Sequence, residues 1–246
     1  MITQWLREIN YCMRLLKKLV FVRRCAVCGQ PIDTGLVCAA CRKHYLLRRL
    51  RRCQPREEYL AGQAEPLPED ILSSVLLLYK YDGALKEALQ QIKFAADSGL
   101  LPLLREEAAA ALPAAKRRWL AQYDIVTCVP ASPERREQRG FDVPRELFAP
   151  LASAEGKLYC GEVLRRVRRT APLFALKPLE RREELAGCFE LVGGVAVRGK
   201  RILLCDDIYT TGSTLAEAAR ALLAAGAREV HGLALAAAPA NWEGEE

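Results

Sequence analysis

The sequence predicts an α/β protein in which a largely parallel sheet follows a small cysteine-rich module. After residue 70, apolar segments typical of buried strands alternate with segments of helical periodicity, and this alternation is typical of parallel sheets. Two CxxC pairs lie before residue 42, and a polar segment with three prolines separates them from the α/β part. A chain of 246 residues can bury one core of this kind and carry an appended module.

We therefore expect an amphipathic helix and the cysteine module in residues 1–53, a linker in residues 54–69, and the α/β domain in residues 70–240. The apolar residues of "MITQWLREINYCMRLLKKLV" follow helical spacing. Charges interrupt this segment and no small-residue cleavage site follows it, so we expect no signal peptide, no transmembrane segment and a cytoplasmic protein. The apolar face either packs against the protein or lies on a membrane surface.

Positive charge is concentrated at the start of the chain. The formal net charge is +7, but residues 1–53 contain twelve Lys or Arg and two acids, so this region carries +10 and the remainder −3. Such an imbalance favours a polyanionic partner, such as a nucleic acid, for this region alone. The alternative is that the charges only solubilise a helix and a small module.

The segment "CAVCGQPIDTGLVCAAC" contains two CxxC pairs with nine residues between them. Four thiolates brought together in this way form the tetrahedral sulfur cage that zinc prefers, and disulfides are the weaker alternative in a cytoplasmic protein. His44 and Cys53 lie close enough in sequence to replace a ligand. The predicted zinc ligands are Cys25, Cys28, Cys38 and Cys41.

The later elements are predicted from periodicity and from the residues that end them. Buried strands are predicted for "ILSSVLLLY", "DIVTCVP", "KLYCGEVL", "RILLCDD" and "EVHGLALAA". Helices are predicted for "GALKEALQQIKFA", "LLREEAAAAL", "RELFAPLASAE" and residues 214–225, the last ended by Gly226.

The segment "ILLCDDIYTTGSTL" carries the most specific chemistry in the sequence. Ligands of parallel α/β sheets bind beyond the carboxyl ends of the strands, where this segment brings Asp206 and Asp207. Two carboxylates suit the vicinal hydroxyls of a ribose or an associated metal ion. The turn that follows opens a helix, whose free N–H groups and dipole favour a phosphate. Neither GxxxxGK[ST] nor GxGxxG occurs, so we predict a ribose 5-phosphate rather than a P-loop or dinucleotide ligand. Its phosphate is expected at Tyr209, Thr210, Thr211, Gly212, Ser213 and Thr214.

This segment resembles the phosphoribosyl pyrophosphate (PRPP) motif of type I phosphoribosyltransferases. Together with the double CxxC, it is similar to the ComF family of competence-associated proteins over nearly the whole chain. The resemblance implies a type I phosphoribosyltransferase-like domain behind a zinc-ribbon-like module, with PRPP and Mg²⁺ as ligands and with Asp206 and Asp207 as the catalytic acids. It also implies two runs of basic residues, one that contacts the pyrophosphate and one that closes over it: Arg135, Arg136 and Arg139, and Arg168, Arg169, Lys177 and Arg181. The alternative for either run is a solvated helix face.

Two functions follow from the resemblance. One is transfer of a phosphoribosyl group to an unidentified acceptor. The other is a PRPP-binding protein with little or no turnover that contacts single-stranded DNA, and the competence machinery, during DNA uptake. Four residues stand where members of this family commonly have amides, which favours the second function: Asp142, Val143, Leu173 and Glu184.

Overall fold

The computed structural model describes residues 24–25, 28–32, 38–41, 71–94, 98–112, 115–157, 159–168, 170 and 178–238. The chain divides into two compact units, Met1–Arg49 and Leu50–Glu246. The helix predicted before residue 21, the linker 54–69, His44 and Cys53 lie outside the described residues, and the segment bounds remain a prediction. Among the described residues, no helix has the length and apolar character needed to cross a bilayer.

The first unit contains a tight turn between the first two cysteines of the cluster. The N–H of Cys25 donates to the carbonyl of Gln30 at 2.8 Å, and the N–H of Gly29 donates to the carbonyl of Cys25 at 2.9 Å. Gly29 has a φ of 70°, which a residue with a side chain rarely adopts. A single helical turn, α1 (Ala39–Cys41), carries the last cysteine of the cluster.

The second unit is built on a parallel sheet, which confirms the predicted α/β class. The described strands of this sheet are β1 (Ser74–Lys80), β2 (Ile125–Cys128), β5 (Arg201–Tyr209) and β6 (Glu229–Ala237). They are all parallel and lie in the order β1-β6-β5-β2. Two short strands, β3 (Leu164–Arg166) and β4 (Phe189–Leu191), form a separate antiparallel pair.

Helices follow or join the strands. They are α2 (Gly83–Phe94), α3 (Leu101–Ala111), α4 (Lys116–Leu120), α5 (Pro133–Arg139), α6 (Val143–Ala154), α7 (Pro178–Leu185) and α8 (Ser213–Ala224). The apolar face of α8 packs against β5 and β6 in one hydrophobic core, to which Leu215, Leu222, Ile202 and Leu204 contribute. Because the strand is covered, the side chains of residues 202–207 of β5 are all buried.

The strand predicted for "KLYCGEVL" is largely wrong. Within that segment, Tyr159 makes only an isolated parallel bridge with Val126, and a turn at Gly161 follows. Only Leu164 belongs to a strand, β3, which pairs with β4 rather than with the large sheet. Among the described residues of the segment, Val163 and Leu164 are buried and belong to the hydrophobic core. Hydropathy alone does not distinguish such a buried segment from a strand.

Candidate functional site

The two predicted catalytic acids lie side by side near the carboxyl end of β5, the strand between β6 and β2. Asp206 and Asp207 are 9% and 8% exposed, although both are charged residue types. The N–H of Asp207 donates to Oδ1 of Asp206 at 2.8 Å, which fixes the carboxyl group of Asp206 against the backbone of Asp207. Carboxyl groups this buried need partners.

A lysine from α2 supplies one partner. Lys93 Nζ lies 2.8 Å from Asp207 Oδ1. Burial, and secondly the charge of Asp207, raise the pKa of Asp206 to about 8, while Lys93 opposes the rise. Burial and the charge of Asp207 also raise the pKa of the nearby Tyr81 to about 12. Burial thus favours the protonated form of Asp206, and Lys93 places a cation beside Asp207.

The loop after the acids is shaped by a close contact between Tyr209 and Gly212. Gly212 has a φ of 77° and is the residue before the first turn of α8. A Cβ at this position would lie 2.5 Å from the hydroxyl of Tyr209, so only glycine fits. The hydroxyls of Thr211 and Ser213 lie 2.9 Å apart and face one another. The loop thus brings side-chain hydroxyls to the amino end of a twelve-residue helix.

The first predicted basic run, Arg135, Arg136 and Arg139, lies on helix α5, which has no buried residue. This helix is therefore solvated, as in the alternative interpretation of the run. Ser132 caps it by accepting from the N–H of Arg135 at 3.4 Å. Arg139 Nε donates to the carbonyl of Lys93 at 3.1 Å. Burial lowers the pKa of the Arg139 guanidinium, and the charge of Asp207 opposes this. Arg139 therefore lies close to the acid pair, while Arg135 and Arg136 are exposed.

Asp142, one of the four positions where the family commonly has an amide, has a structural role. It is buried and accepts from the N–H of Ala131 at 3.1 Å. Its other oxygen lies 2.9 Å from Arg136 Nη2. An amide oxygen could accept the first bond but could not form the ion pair, so the acid at this position ties the two ends of α5 together.

The second basic run divides into groups with different surroundings. Arg181, on α7, is 8% exposed and donates to the hydroxyl of Thr210 at 3.4 Å. Arg168 instead donates to the carbonyls of Glu184 and Ala186, at the carboxyl end of α7. Its predicted contact with a leaving group is not tested by this arrangement. The predicted residues Arg169 and Lys177 lie outside the described residues.

Two basic residues near the acid pair were not predicted. Lys93 ends a helix, and a lysine there is common for reasons of the helix dipole alone, so its position gave no signal. Arg166, on β3, stacks over the ring of Phe189. Burial lowers the pKa of Arg166. Among the further causes, the charge of Arg135 lowers this pKa and the charge of Asp206 raises it. Arg166 lies in a run of arginines, and nothing in the sequence distinguishes it from its neighbours.

The four predicted metal ligands of the first unit come together. The sulfur atoms of Cys25, Cys28, Cys38 and Cys41 all lie within 4.8 Å of one another. The N–H groups of Cys38 and Cys41 donate to sulfur atoms of the cluster, each at 3.3 Å. Burial, and then hydrogen bonds from the other three thiols, raise the pKa of Cys41. These four cysteines form a set that could hold a metal, since a cation would replace their protons.

One family of known proteins matches the part of the chain that contains the site. Residues 193–246, which include the acids and the loop, match the phosphoribosyl transferase domain family. The glutamine PRPP amidotransferase from B. subtilis, complexed with ADP and GMP, is a structural match with 24% identity and a TM-score of 0.38, which covers 60% of this chain and 30% of that one. The fold and the strand–loop–helix site define an α/β protein with a type I phosphoribosyltransferase-like domain.

Two named relatives extend the comparison. The competence protein ComFC of Bacillus subtilis is 26% identical over 89% of this chain and 79% of that protein. The DNA utilization protein YhgH of Salmonella typhi is 34% identical over 61% of this chain, and the match spans 66% of its length, just under two thirds. Both relatives support the resemblance to the ComF family that the sequence motifs indicate.

Proposed function

We propose that the protein binds PRPP or ribose 5-phosphate beyond the carboxyl end of β5 and transfers the phosphoribosyl group to an acceptor, in a cytoplasmic role connected with DNA uptake. One observation carries the proposal: the buried acids Asp206 and Asp207 are followed directly by a hydroxyl-rich loop that opens α8. The names of the relatives, competence protein and DNA utilization protein, support the connection with DNA.

Each part of the site suits one part of PRPP. The loop and the amino end of α8 suit the 5-phosphate. The acids suit the ribose hydroxyls, because carboxyl oxygens accept hydrogen bonds. The arginines of α5 suit the pyrophosphate. We expect Mg²⁺ to bind together with PRPP, because Mg²⁺ prefers oxygen ligands such as those of pyrophosphate. During transfer, pyrophosphate leaves C1 while positive charge builds on the ribose, so positioning and electrostatics carry the rate.

Binding is tested by calorimetry with PRPP and with ribose 5-phosphate. The double substitution Asp206→Asn/Asp207→Asn keeps the shape of both side chains and removes their charge. We expect it to weaken binding at least about tenfold, as loss of hydrogen bonds to charged groups does. Glu190→Gln, which removes an exposed carboxylate paired with Arg165, serves as the control and should bind like the wild type. Equal affinities for the wild type and the double variant would remove the proposed role of the acids.

Transfer is tested separately. The protein is incubated with PRPP, Mg²⁺ and a panel of nucleobases, and release of pyrophosphate is followed. Release that depends on one base identifies both the activity and the acceptor. Binding of PRPP without release under any of these conditions excludes transfer to the bases tested.

A second function, PRPP binding with little turnover, is favoured by the charge balance of the acid pair. Burial favours the uncharged form of Asp206, and Lys93 places a cation 2.8 Å from Asp207. Both effects weaken the stabilisation that two free carboxylates would give to the positive charge of a transfer step. In this alternative, the protein is an accessory factor that holds PRPP and contacts single-stranded DNA and the competence machinery.

DNA binding is proposed for the basic region 1–53. Phosphate contacts should then dominate, so affinity should fall steeply with salt and be insensitive to base order. Reversing four charges should flatten the salt dependence while PRPP binding is unchanged: Arg48, Arg49, Arg51 and Arg52. Gel-shift titrations at low salt that show no DNA binding, or binding that persists without residues 1–53, would contradict this assignment.

Zinc is the metal we propose for the four cysteines, because four thiolates suit it.

A further inference from the structure

Arg181 has surroundings unlike those of the other predicted basic residues. Its neighbours on α7, Glu180 and Glu183, are exposed, whereas Arg181 is 8% exposed. Its guanidinium donates to Thr210, the first residue after β5. Sequence reasoning assigned Arg181 to a segment that closes over the leaving pyrophosphate, but the contact with Thr210 is at the opposite, 5-phosphate part of the proposed site.

The position of Arg181 is fixed by packing. Leu185 lies four residues later on α7, hence on the same helix face, and is buried in the core with Leu215 of α8. The N–H of Gly187, just after α7, donates to Oε1 of Glu217 on α8 at 2.7 Å. Helix α7 is thereby attached to α8, and the residue one turn before Leu185 faces the start of α8. Arg181 is part of the packed structure in this conformation.

The charge of Arg181 suits an anion at this position. A guanidinium stays charged at neutral pH, and burial lowers the pKa of Arg181 because it disfavours that charge. Buried charges need charged or strongly polar partners. A pair of phosphate oxygens matches the fork of the guanidinium group.

We propose that Arg181 is the specificity-determining residue for the 5-phosphate, so that the loop of residues 210–214 selects a sugar with a terminal phosphomonoester. This inference rests on the proposed function, because it assumes that the loop binds a phosphorylated ribose. It gives the two anionic ends of PRPP different partners: Arg181 and the loop hold the 5-phosphate, while Arg139 and the rest of α5 face the pyrophosphate.

The test compares two probes, ribose 5-phosphate and Mg²⁺–pyrophosphate, by calorimetry. Arg181→Gln should weaken ribose 5-phosphate about 10–100-fold, the expected loss of hydrogen bonds to a charged group, and change pyrophosphate affinity less than about threefold. Arg139→Gln should show the reverse pattern. Arg220→Gln removes a cation from the outer side of α8, where it pairs with Glu217, and should change neither affinity.

Each remaining outcome is decisive. If Arg181→Gln weakens the binding of both probes equally, or of pyrophosphate alone, the assignment to the 5-phosphate is wrong. Arg181 would then contact the leaving pyrophosphate, as the sequence predicted. If Arg181→Gln does not fold, Arg181→Lys keeps a charge and most of the stem, and it must still weaken ribose 5-phosphate selectively because an ammonium lacks the fork. If wild type binds neither probe, the proposed function fails as well. If Asp206→Asn/Asp207→Asn weakens ribose 5-phosphate and Arg181→Gln does not, only the present inference fails.

Discussion

At the scale of single residues, Asp206 is held where its protonated form is favoured. Burial beside Asp207 raises its pKa to about 8, whereas an aspartate in an unfolded chain titrates near 3.9 (an approximate reference value). Between these values the folded protein binds more protons than the unfolded one. Stability should therefore fall as pH rises through roughly 4–8, and this contribution should be constant on either side.

Asp206→Asn tests this dependence. The amide oxygen can still accept from the N–H of Asp207, but the group no longer titrates. The Tm of the variant relative to wild type should rise by several degrees from pH 5 to pH 9, since about 1 kcal/mol corresponds to about 2–4 °C in a chain of this size. Thermal unfolding across the pH range measures the difference. A difference that is constant with pH would contradict the raised pKa.

The site was partly predictable at this scale. Asp206, Asp207 and the loop form one contiguous segment, so local sequence was enough to identify them. Lys93 meets Asp207 from 114 residues away, and no local pattern marks that contact. Arg181 was recognised as a basic residue of the site, but its contact with Thr210 depends on how α7 packs on α8. Contacts between distant segments follow from packing, which periodicity does not encode.

At the scale of elements, α5 depends on Asp142. This carboxylate accepts from the N–H of Ala131 and pairs with Arg136, and so joins the residues before and within the helix. We expect Asp142→Ala to cost about 1–3 kcal/mol of stability, because it leaves the partly buried N–H of Ala131 without its acceptor. Amide exchange in residues 131–140 should accelerate, and denaturant unfolding should give the loss of stability.

Glu137→Ala, on the exposed face of the same helix, is the matched control and should leave exchange near wild type. Asp142→Asn should be intermediate, since it keeps an acceptor for Ala131 and loses the ion pair. If Asp142→Ala exchanges no faster than Glu137→Ala in this segment, α5 is held by other contacts.

The elements were predictable to different degrees for physical reasons. The strands of the large sheet are continuous apolar runs, and α2, α3, α6 and α8 bury one face each, so their periodicity was visible. Helix α5 buries no residue and so lacks apolar periodicity; its signals are the cap at Ser132 and the left-handed Gly140. The strands β3 and β4 have three residues each, too few to show alternation.

At the scale of the whole molecule, the two units should respond differently to metal. We expect the small unit with the four thiols to need a cation for its folding, whereas the second unit has its own core. We expect about one zinc per chain by elemental analysis, lost in Cys38→Ser together with protease resistance of residues 1–49. Binding of ribose 5-phosphate should be unchanged in Cys38→Ser.

Cys188→Ser is the control, because Cys188 belongs to the second unit and lies outside the cluster; its zinc content should equal that of the wild type. If the first unit of the metal-free protein stays resistant to protease, its folding does not depend on zinc. Loss of ribose 5-phosphate binding in Cys38→Ser would show that the second unit needs the first.

The strand order determines when the sheet can form while the ribosome synthesises the chain. β6 lies between β1 and β5, so β1 has no neighbour in this sheet until β6 has been made. Ser74 pairs with His231, 157 residues later, and a ribosome adding roughly 5–20 residues per second needs about 8–30 s for that distance. Throughout this interval, β1 lacks its only described partner strand, and the acids of β5 are synthesised before β6, the strand that pairs beside them.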